Sequence, residues 1–226
     1  MNSTRPLHGV LFDLDGTLVD SAADLQATLN RLLPEYGLPP LGLDQVKSMI
    51  GDGVAKLVER AFAATGGDMT SVDAAARRFL ALYEGHAAAL TKAYPGVRDT
   101  LSALHASGIV LGVVTNKPLA ATQEILTALD LAPFFSVVVG GDSAPRRKPH
   151  PDPVLKALAD AKLDPADAIM VGDNYHDVEA AHAAGVQAII VTYGYSHKPP
   201  SETGADHVVN NLVEILDCLG PRLRGA

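Results

Sequence analysis

The sequence predicts an α/β fold: a doubly wound parallel-sheet (Rossmann-like) core with an inserted helical cap domain. Three observations predict it. Several short runs rich in Val and Ile are continuously apolar rather than alternating, as in strands buried on both faces. Helical patterns that open near Pro or Asp and close on Gly separate these runs. Between the first run and the phrase YPGV at 94–97 lie about seventy residues without a convincing strand, far more than an ordinary crossover needs.

In order, the strand candidates are GVLF (9–12), IVLGVV (109–114), VVVG (137–140), AIMVG (168–172), AIIV (188–191) and HVV (207–209). Between them, VRDTLSALHASG closes on Gly108, and PLAATQEILTALDL opens on Pro118. DPVLKALADAKL places Asp152 and Pro153 at N-cap and first-turn positions. HDVEAAHAAG ends at Gly185 and NNLVEILDCLG at Gly220. The long insertion reads as helices over SAADLQATLNRLLPEYG, LDQVKSMIGDGVAKLVERAFAAT and SVDAAARRFLALYEGHAAAL. A block of that size can hold its own small core. The expected domains are a catalytic core of 1–20 and 93–226 and a cap of 21–92. The connections near 19–21 and 92–94 are candidate hinges.

The bulk properties bound the partners. With 226 residues, 47% of them hydrophobic, the chain can bury a sizeable core. A formal net charge of -8 argues against a nucleic-acid partner, since phosphate backbones call for clustered Lys and Arg. The lone cysteine, Cys218, excludes an internal disulfide and a multi-cysteine zinc site. The start, MNSTRPLHGV, carries no long apolar stretch, so no membrane partner and a cytoplasmic location are expected. The oligomeric state is not legible.

Ligands of an open parallel sheet bind beyond the carboxyl ends of its strands. The first strand delivers Asp13 and Asp15 there, one residue apart and on the same side, with Leu14 opposite. The second delivers Thr115, Asn116 and Lys117, and the third Gly141, Asp142 and Ser143, followed by Lys148. The fourth delivers Asp173 and Asp177 in GDNYHD. Four carboxylates, a hydroxyl and a lysine on one edge suit phosphoryl transfer through an aspartyl phosphate. A carboxylate that attacks a phosphate dianion meets charge repulsion, which Mg²⁺ on oxygen ligands offsets. Asp13 is then the nucleophile and a metal ligand. Asp15 protonates the leaving alcohol and later takes a proton from the attacking water. Gly16 allows the backbone to turn sharply.

DLDGT (13–17), VVTNK (113–117), Lys148 in RKPHPDP and GDNYHD (172–177) resemble the four ordered motifs of the haloacid dehalogenase superfamily. The resemblance covers nearly the whole chain, including a helical cap inserted after the first motif. It implies that Thr115, Asn116 and Lys148 bind the phosphoryl group together with Asp13. It further implies that Lys148 balances the charge of the nucleophile. Asp173, the backbone carbonyl of Asp15, and Asp177 as a ligand or outer-shell group would complete the Mg²⁺ site. Asp177 could instead be an ordinary first-turn carboxylate facing a helix dipole. One departure is Asn174, where many relatives carry Ser or Thr. The connecting phrases YPGV, VVTNKP, VVGGDS, VTYGY and IGDGVAKLVERAF resemble those of the phosphoglycolate phosphatase group.

The implied partner is a small phosphorylated metabolite, most closely 2-phosphoglycolate. Sugar-phosphate phosphatase, pyrophosphatase and β-phosphoglucomutase-like phosphomutase are the enzymatic alternatives. A phosphate-binding or regulatory module on the same fold is the non-enzymatic one. Discrimination must come from the cap, where Lys47, Gly51, Asp52 and Gly53 are the candidates. Gly51 and Gly53 also fit a plain interhelical turn. His176 reads as a first-turn helix residue, since hard Mg²⁺ prefers oxygen, and Tyr193 and Tyr195 as packing at a strand end.

Overall fold

The apolar runs fold into one parallel six-stranded sheet in a computed structural model that describes residues 5–196 and 198–223. Residues 1–4, the start of the MNSTRPLHGV stretch, lie outside the described residues. The strands are β1 (Gly9–Phe12), β4 (Val110–Val114), β5 (Val137–Val139), β6 (Ala168–Gly172), β7 (Gln187–Val191) and β8 (His207–Val209). Their order is β5-β4-β1-β6-β7-β8. The chain therefore builds outward on one side of β1 and then crosses to build outward on the other. The carboxyl end of β1 lies at this reversal, where an open α/β sheet offers a crevice.

The continuous hydrophobicity has a direct cause. Val10 and Phe12 of β1 join one apolar cluster, and Leu11 joins another on the opposite face. Strands β6 and β7 divide in the same way, with Ile169, Val171, Ile189 and Val191 on one face and Met170 and Ile190 on the other. Helices α7 (Asp152–Ala161) and α8 (Tyr175–Ala183) cover the second face through Val154, Ala157, Leu158, Val178 and Ala181. Helices α5 (Val97–Ala106), α6 (Leu119–Ala128) and α9 (Glu214–Leu223) contribute Leu101, Leu104, Ile125, Ile215 and Leu219 to the first.

The insertion holds α1 (Ala22–Leu32), α2 (Leu43–Lys47), α3 (Val54–Thr65) and α4 (Val72–Tyr83). Each long helix buries one stripe, such as Leu25, Leu29 and Leu32 on α1 or Leu57, Val58, Ala61 and Phe62 on α3. These side chains and those of the first sheet face form one connected cluster, so the insertion shares its core with the sheet. Both connections contain short strands that the sequence pattern does not reveal. Strand β2 (Val19–Asp20) pairs antiparallel with β3 (Lys92–Ala93), which makes a two-stranded stalk. Two residues are too few to show a period.

Three helix boundaries differ from the pattern. The apolar periodicity over 43–65 breaks at 48–53, where Gly53 adopts φ 84°. Past Tyr83 the chain leaves the helix, and Glu124 of α6 accepts the backbone N–H groups of Gly85 and Ala87 at 3.1 and 2.8 Å. At the carboxyl end, α9 runs through Gly220 to Leu223. The buried Arg222 anchors that extra turn by donating to the Arg5 carbonyl, the Gln187 side chain and the Ala166 carbonyl at 3.0, 3.2 and 2.8 Å.

Candidate active site

Strand β1 ends at Phe12; the Asp13 N–H still donates to the Val171 carbonyl of β6 at 2.9 Å, and the chain turns beyond it. Leu14 returns to the apolar cluster, while Asp13 and Asp15 both face the cleft at the strand end. The turn closes through Gly16 at φ 87°, where a Cβ would lie 2.4 Å from Oδ2 of Asp173. Only glycine allows the first and fourth strand ends to approach this closely.

Lys148 is the centre of the charge arrangement. Its ammonium lies 2.9 Å from Oδ1 of Asp13 and donates to Oδ1 of Asp177 at 2.6 Å and to the Val114 carbonyl at 2.7 Å. All three donors are thus engaged in a buried setting. Burial opposes its charge, but Asp13 and Asp177 outweigh burial and raise its pKa. Asp13 is pushed up to about 6, chiefly by burial, against the pull of Lys148 and with repulsion from Asp177 and Asp15. Burial likewise holds Asp173 well above the carboxylate range, with Asp177 and Asp13 adding repulsion.

One ligand atom from each of Asp13, Asp173 and Asp177 lies within 4.8 Å of the others. Three buried carboxylates facing one lysine leave an excess of negative charge that a cation relieves. The donors are hard oxygens, so the set fits a hard divalent ion. Asp173 is oriented by the Tyr195 backbone N–H at 2.6 Å and by the Thr17 hydroxyl at 3.4 Å. Both Asp177 oxygens are in use, by Lys148 at 2.6 Å and by the Asn174 backbone N–H at 3.0 Å. Asp177 therefore orients the lysine and begins α8, in addition to lying within the acidic cluster.

The remaining sequence candidates have distinct settings. Asp15 accepts from Ser21 Oγ at 2.5 Å and from Lys117 Nζ at 3.1 Å to each oxygen. Thr115 lines the cleft and is buried; its Oγ1 accepts from the Lys117 backbone N–H at 3.2 Å, which leaves its proton to donate. Asn116 lines the cleft, and its side chain is already engaged: Oδ1 accepts from the Lys148 backbone, and Nδ2 donates to the carbonyls of Lys148 and Gly51, each at 3.0 Å. Gly51 and Gly53 line the cleft. Lys47 and Asp52 do not: Lys47 Nζ lies 4.0 Å from Asp20, and Asp52 is held by Arg60 and His176.

Lys117 is the residue that sequence reasoning brought to the strand end without giving it a role. It is buried, it lines the cleft, and its ammonium lies 4.9 Å from the centroid of Tyr83, a buried ring of α4. Burial works against its charge, but Asp15 holds the pKa above its ordinary value. Burial pushes the Tyr83 phenol up to about 12. The signal was the short spacing from Thr115, which carries Lys117 to the same edge. The cleft encloses about 470 Å³, part of it open to solvent, between these residues and Leu25, Ile50 and Leu57 of the insertion.

This geometry has close relatives. The haloacid dehalogenase-like hydrolase family matches residues 10–191. Phosphoglycolate phosphatase 1 of Pseudomonas aeruginosa is 40% identical over 222 residues, which cover 96% of this chain and 81% of that protein. The phosphoglycolate phosphatase of Rhodospirillum rubrum is 45% identical over 218 residues, 93% of this chain and 90% of that one. A crystal structure of a predicted phosphoglycolate phosphatase from Haemophilus somnus superposes with a TM-score of 0.87 at 35% identity, covering 96% of this chain and 99% of that one. A match over most of the chain, with the acidic cluster and its lysine assembled at the carboxyl edge of the sheet, establishes that the chain belongs to the haloacid dehalogenase-like hydrolases.

Proposed function

We propose that this protein is a Mg²⁺-dependent phosphatase of small phosphorylated metabolites, with 2-phosphoglycolate as its preferred substrate and glycolate and phosphate as products. The observation that carries the proposal is the buried contact of Lys148 with Asp13, 2.9 Å apart, inside the acidic cluster. A carboxylate so placed is oriented as a nucleophile, and the lysine that orients it also offers charge to a phosphoryl group. The names of the relatives point to the same substrate.

Asp13 attacks phosphorus, the bond to the leaving oxygen breaks, and Asp15 donates its proton to that oxygen. Water then attacks the aspartyl phosphate and gives a proton to Asp15, which regenerates the Asp13 carboxylate as phosphate departs. Thr115 and Lys148 hold the phosphoryl oxygens. Asp13, Asp173, the Asp15 carbonyl and Asp177, directly or from the outer shell, would hold Mg²⁺, which offsets repulsion between the carboxylate and the phosphate dianion.

Substrate choice lies with Lys117 and the cap. 2-Phosphoglycolate carries a carboxylate beside its ester, and Lys117 is the cation lining the cleft. Its ammonium, shared with Asp15, supplies the charge that such a carboxylate needs when water is excluded. We assign residues 21–92 to the cap, hinged at β2 and β3, and place the enzyme in the cytoplasm. A screen of phosphate esters in Mg²⁺ tests the proposal. 2-Phosphoglycolate should lead by kcat/KM, well ahead of hexose phosphates. A clear preference for a sugar phosphate or pyrophosphate would remove the substrate assignment. Turnover of a sugar phosphate without free phosphate would identify a mutase.

A further inference from the structure

The loop between α2 and α3 rests on the core through two side chains outside the proposed chemistry. Asn116 is one, through its 3.0 Å bond to the Gly51 carbonyl. His176 is the other. It sits in the first turn of α8, where a helix residue facing solvent would be ordinary, yet it is buried. Its Nε2 lies 2.8 Å from Oδ1 of Asp52. An ionised carboxylate only accepts, so Nε2 carries the proton and donates. Its Nδ1 is buried with no hydrogen-bond partner among the described residues. A polar group buried with one nitrogen unpaired is costly, and the contact with the cap is the compensation the structure provides.

Asp52 joins the two parts of the molecule. Its Oδ2 accepts from Nη2 of Arg60 at 2.5 Å, and Nη1 of Arg60 donates to the Met49 carbonyl at 2.8 Å. Arg60 therefore braces both sides of the loop from α3, while His176 ties it to the core. The loop has little clearance. A Cβ on Gly53 would lie 3.2 Å from the Asn116 carbonyl oxygen and 3.2 Å from Nη1 of Arg147.

We propose that Asp52 and His176 form a latch that seats this loop over the cleft, positioning Gly51 and Gly53 as a low roof that favours small leaving groups. The specificity part rests on the phosphatase reading above; the latch itself does not. Without the latch the loop spends more time raised. Small substrates that depend on the closed cleft then bind more weakly, and bulkier esters lose less.

The test compares Asp52→Ala, His176→Ala, the double variant and Asp52→Asn. Each single alanine variant should lower kcat/KM for 2-phosphoglycolate about tenfold, mainly through KM, as expected for a shifted closure equilibrium. The loss for p-nitrophenyl phosphate should stay below about threefold. The double variant should be no worse than Asp52→Ala, which already removes the contact with His176. Asp52→Asn should recover only part of the loss, since its amide keeps one acceptor oxygen where both oxygens of Asp52 accept. Amide hydrogen exchange over 49–53 should quicken in both alanine variants, with α3 unchanged. Asp52 lies on a partly exposed loop, so Asp52→Ala with the exchange measurement decides the matter even where His176→Ala fails to fold. Additive losses, or unchanged exchange, would overturn the latch. So would a changed Mg²⁺ requirement in His176→Ala alone, because that assigns His176 to the metal site. A wild-type protein that cleaves no phosphate ester would defeat the phosphatase reading and leave the exchange result to judge the latch.

Discussion

At the scale of single residues, the site is a balance of buried charges. Asp13→Asn removes the proposed nucleophile, because an amide cannot form the acyl phosphate, and with it one carboxylate of the acidic cluster and the charge that Lys148 faces. It should abolish turnover while the far-ultraviolet circular dichroism stays that of the wild type; substantial residual turnover in the folded variant would reject Asp13. Lys148→Ala is expected to behave differently. It leaves Asp13 and Asp177 without their shared cation in a buried setting. Stranding a buried charge in this way costs on the order of 3–5 kcal/mol. Urea unfolding of the metal-free variant should therefore show a large loss of stability along with lost activity. Asp13, Asp15, Asp173 and Lys148 were legible because each follows an apolar run directly or by a short loop. Lys117 and His176 were less so. Their significance depends on partners far along the chain, Asp15 and Asp52, which sequence spacing does not pair.

At the scale of elements, the stalk and the segments beside it hold the insertion to the sheet. Asp24 of α1 is buried and accepts the backbone N–H of Leu90 at 2.9 Å and that of Thr91 at 2.7 Å, together with the Thr91 hydroxyl at 2.7 Å. It thus clips the start of the insertion to its return. Asp24→Ala would leave buried donors unpaired, at a cost of about 1–3 kcal/mol. A lower urea midpoint with little change in kcat for p-nitrophenyl phosphate is the expected result. An unchanged midpoint would show that water replaces the carboxylate freely. The tyrosines read as strand-end packing are also elements of this junction. Tyr195 donates to Asp20 of β2 at 2.5 Å, and Tyr193 donates to the Thr17 carbonyl at 2.7 Å and packs against Tyr94 with ring centroids 4.5 Å apart and the planes tilted by 50°.

At the scale of the whole molecule, metal and pH should act on stability together. The folded protein holds the Asp13 proton up to about pH 6, whereas an unfolded aspartate loses it near 3.8. Folding is favoured by this group below the unfolded value, and that contribution is lost as the pH rises through the folded value. Asp173 shifts in the same direction. Metal-free protein should therefore unfold at lower urea concentrations at about pH 7 than at about pH 5, as far as these groups govern it. Mg²⁺ at about pH 7 should reverse the loss and restore activity removed by a chelator. Full activity in excess chelator would exclude the metal role, and a midpoint indifferent to Mg²⁺ would place the ion elsewhere.

The sequence by itself determined the class of fold and most of the acidic edge. Strands buried on both faces must be continuously apolar, and in a parallel sheet the residues just beyond them share one edge. It also marked a long helical insertion after the first strand, because seventy residues without a strand run exceed any simple crossover. Only the tertiary structure decided how that insertion meets the core. The antiparallel pairing of β2 with β3, the core shared by the cap and the sheet, and the seat of Asp52 on His176 join segments distant in sequence. Such contacts depend on how two surfaces dock, and no local periodicity or spacing encodes a docking.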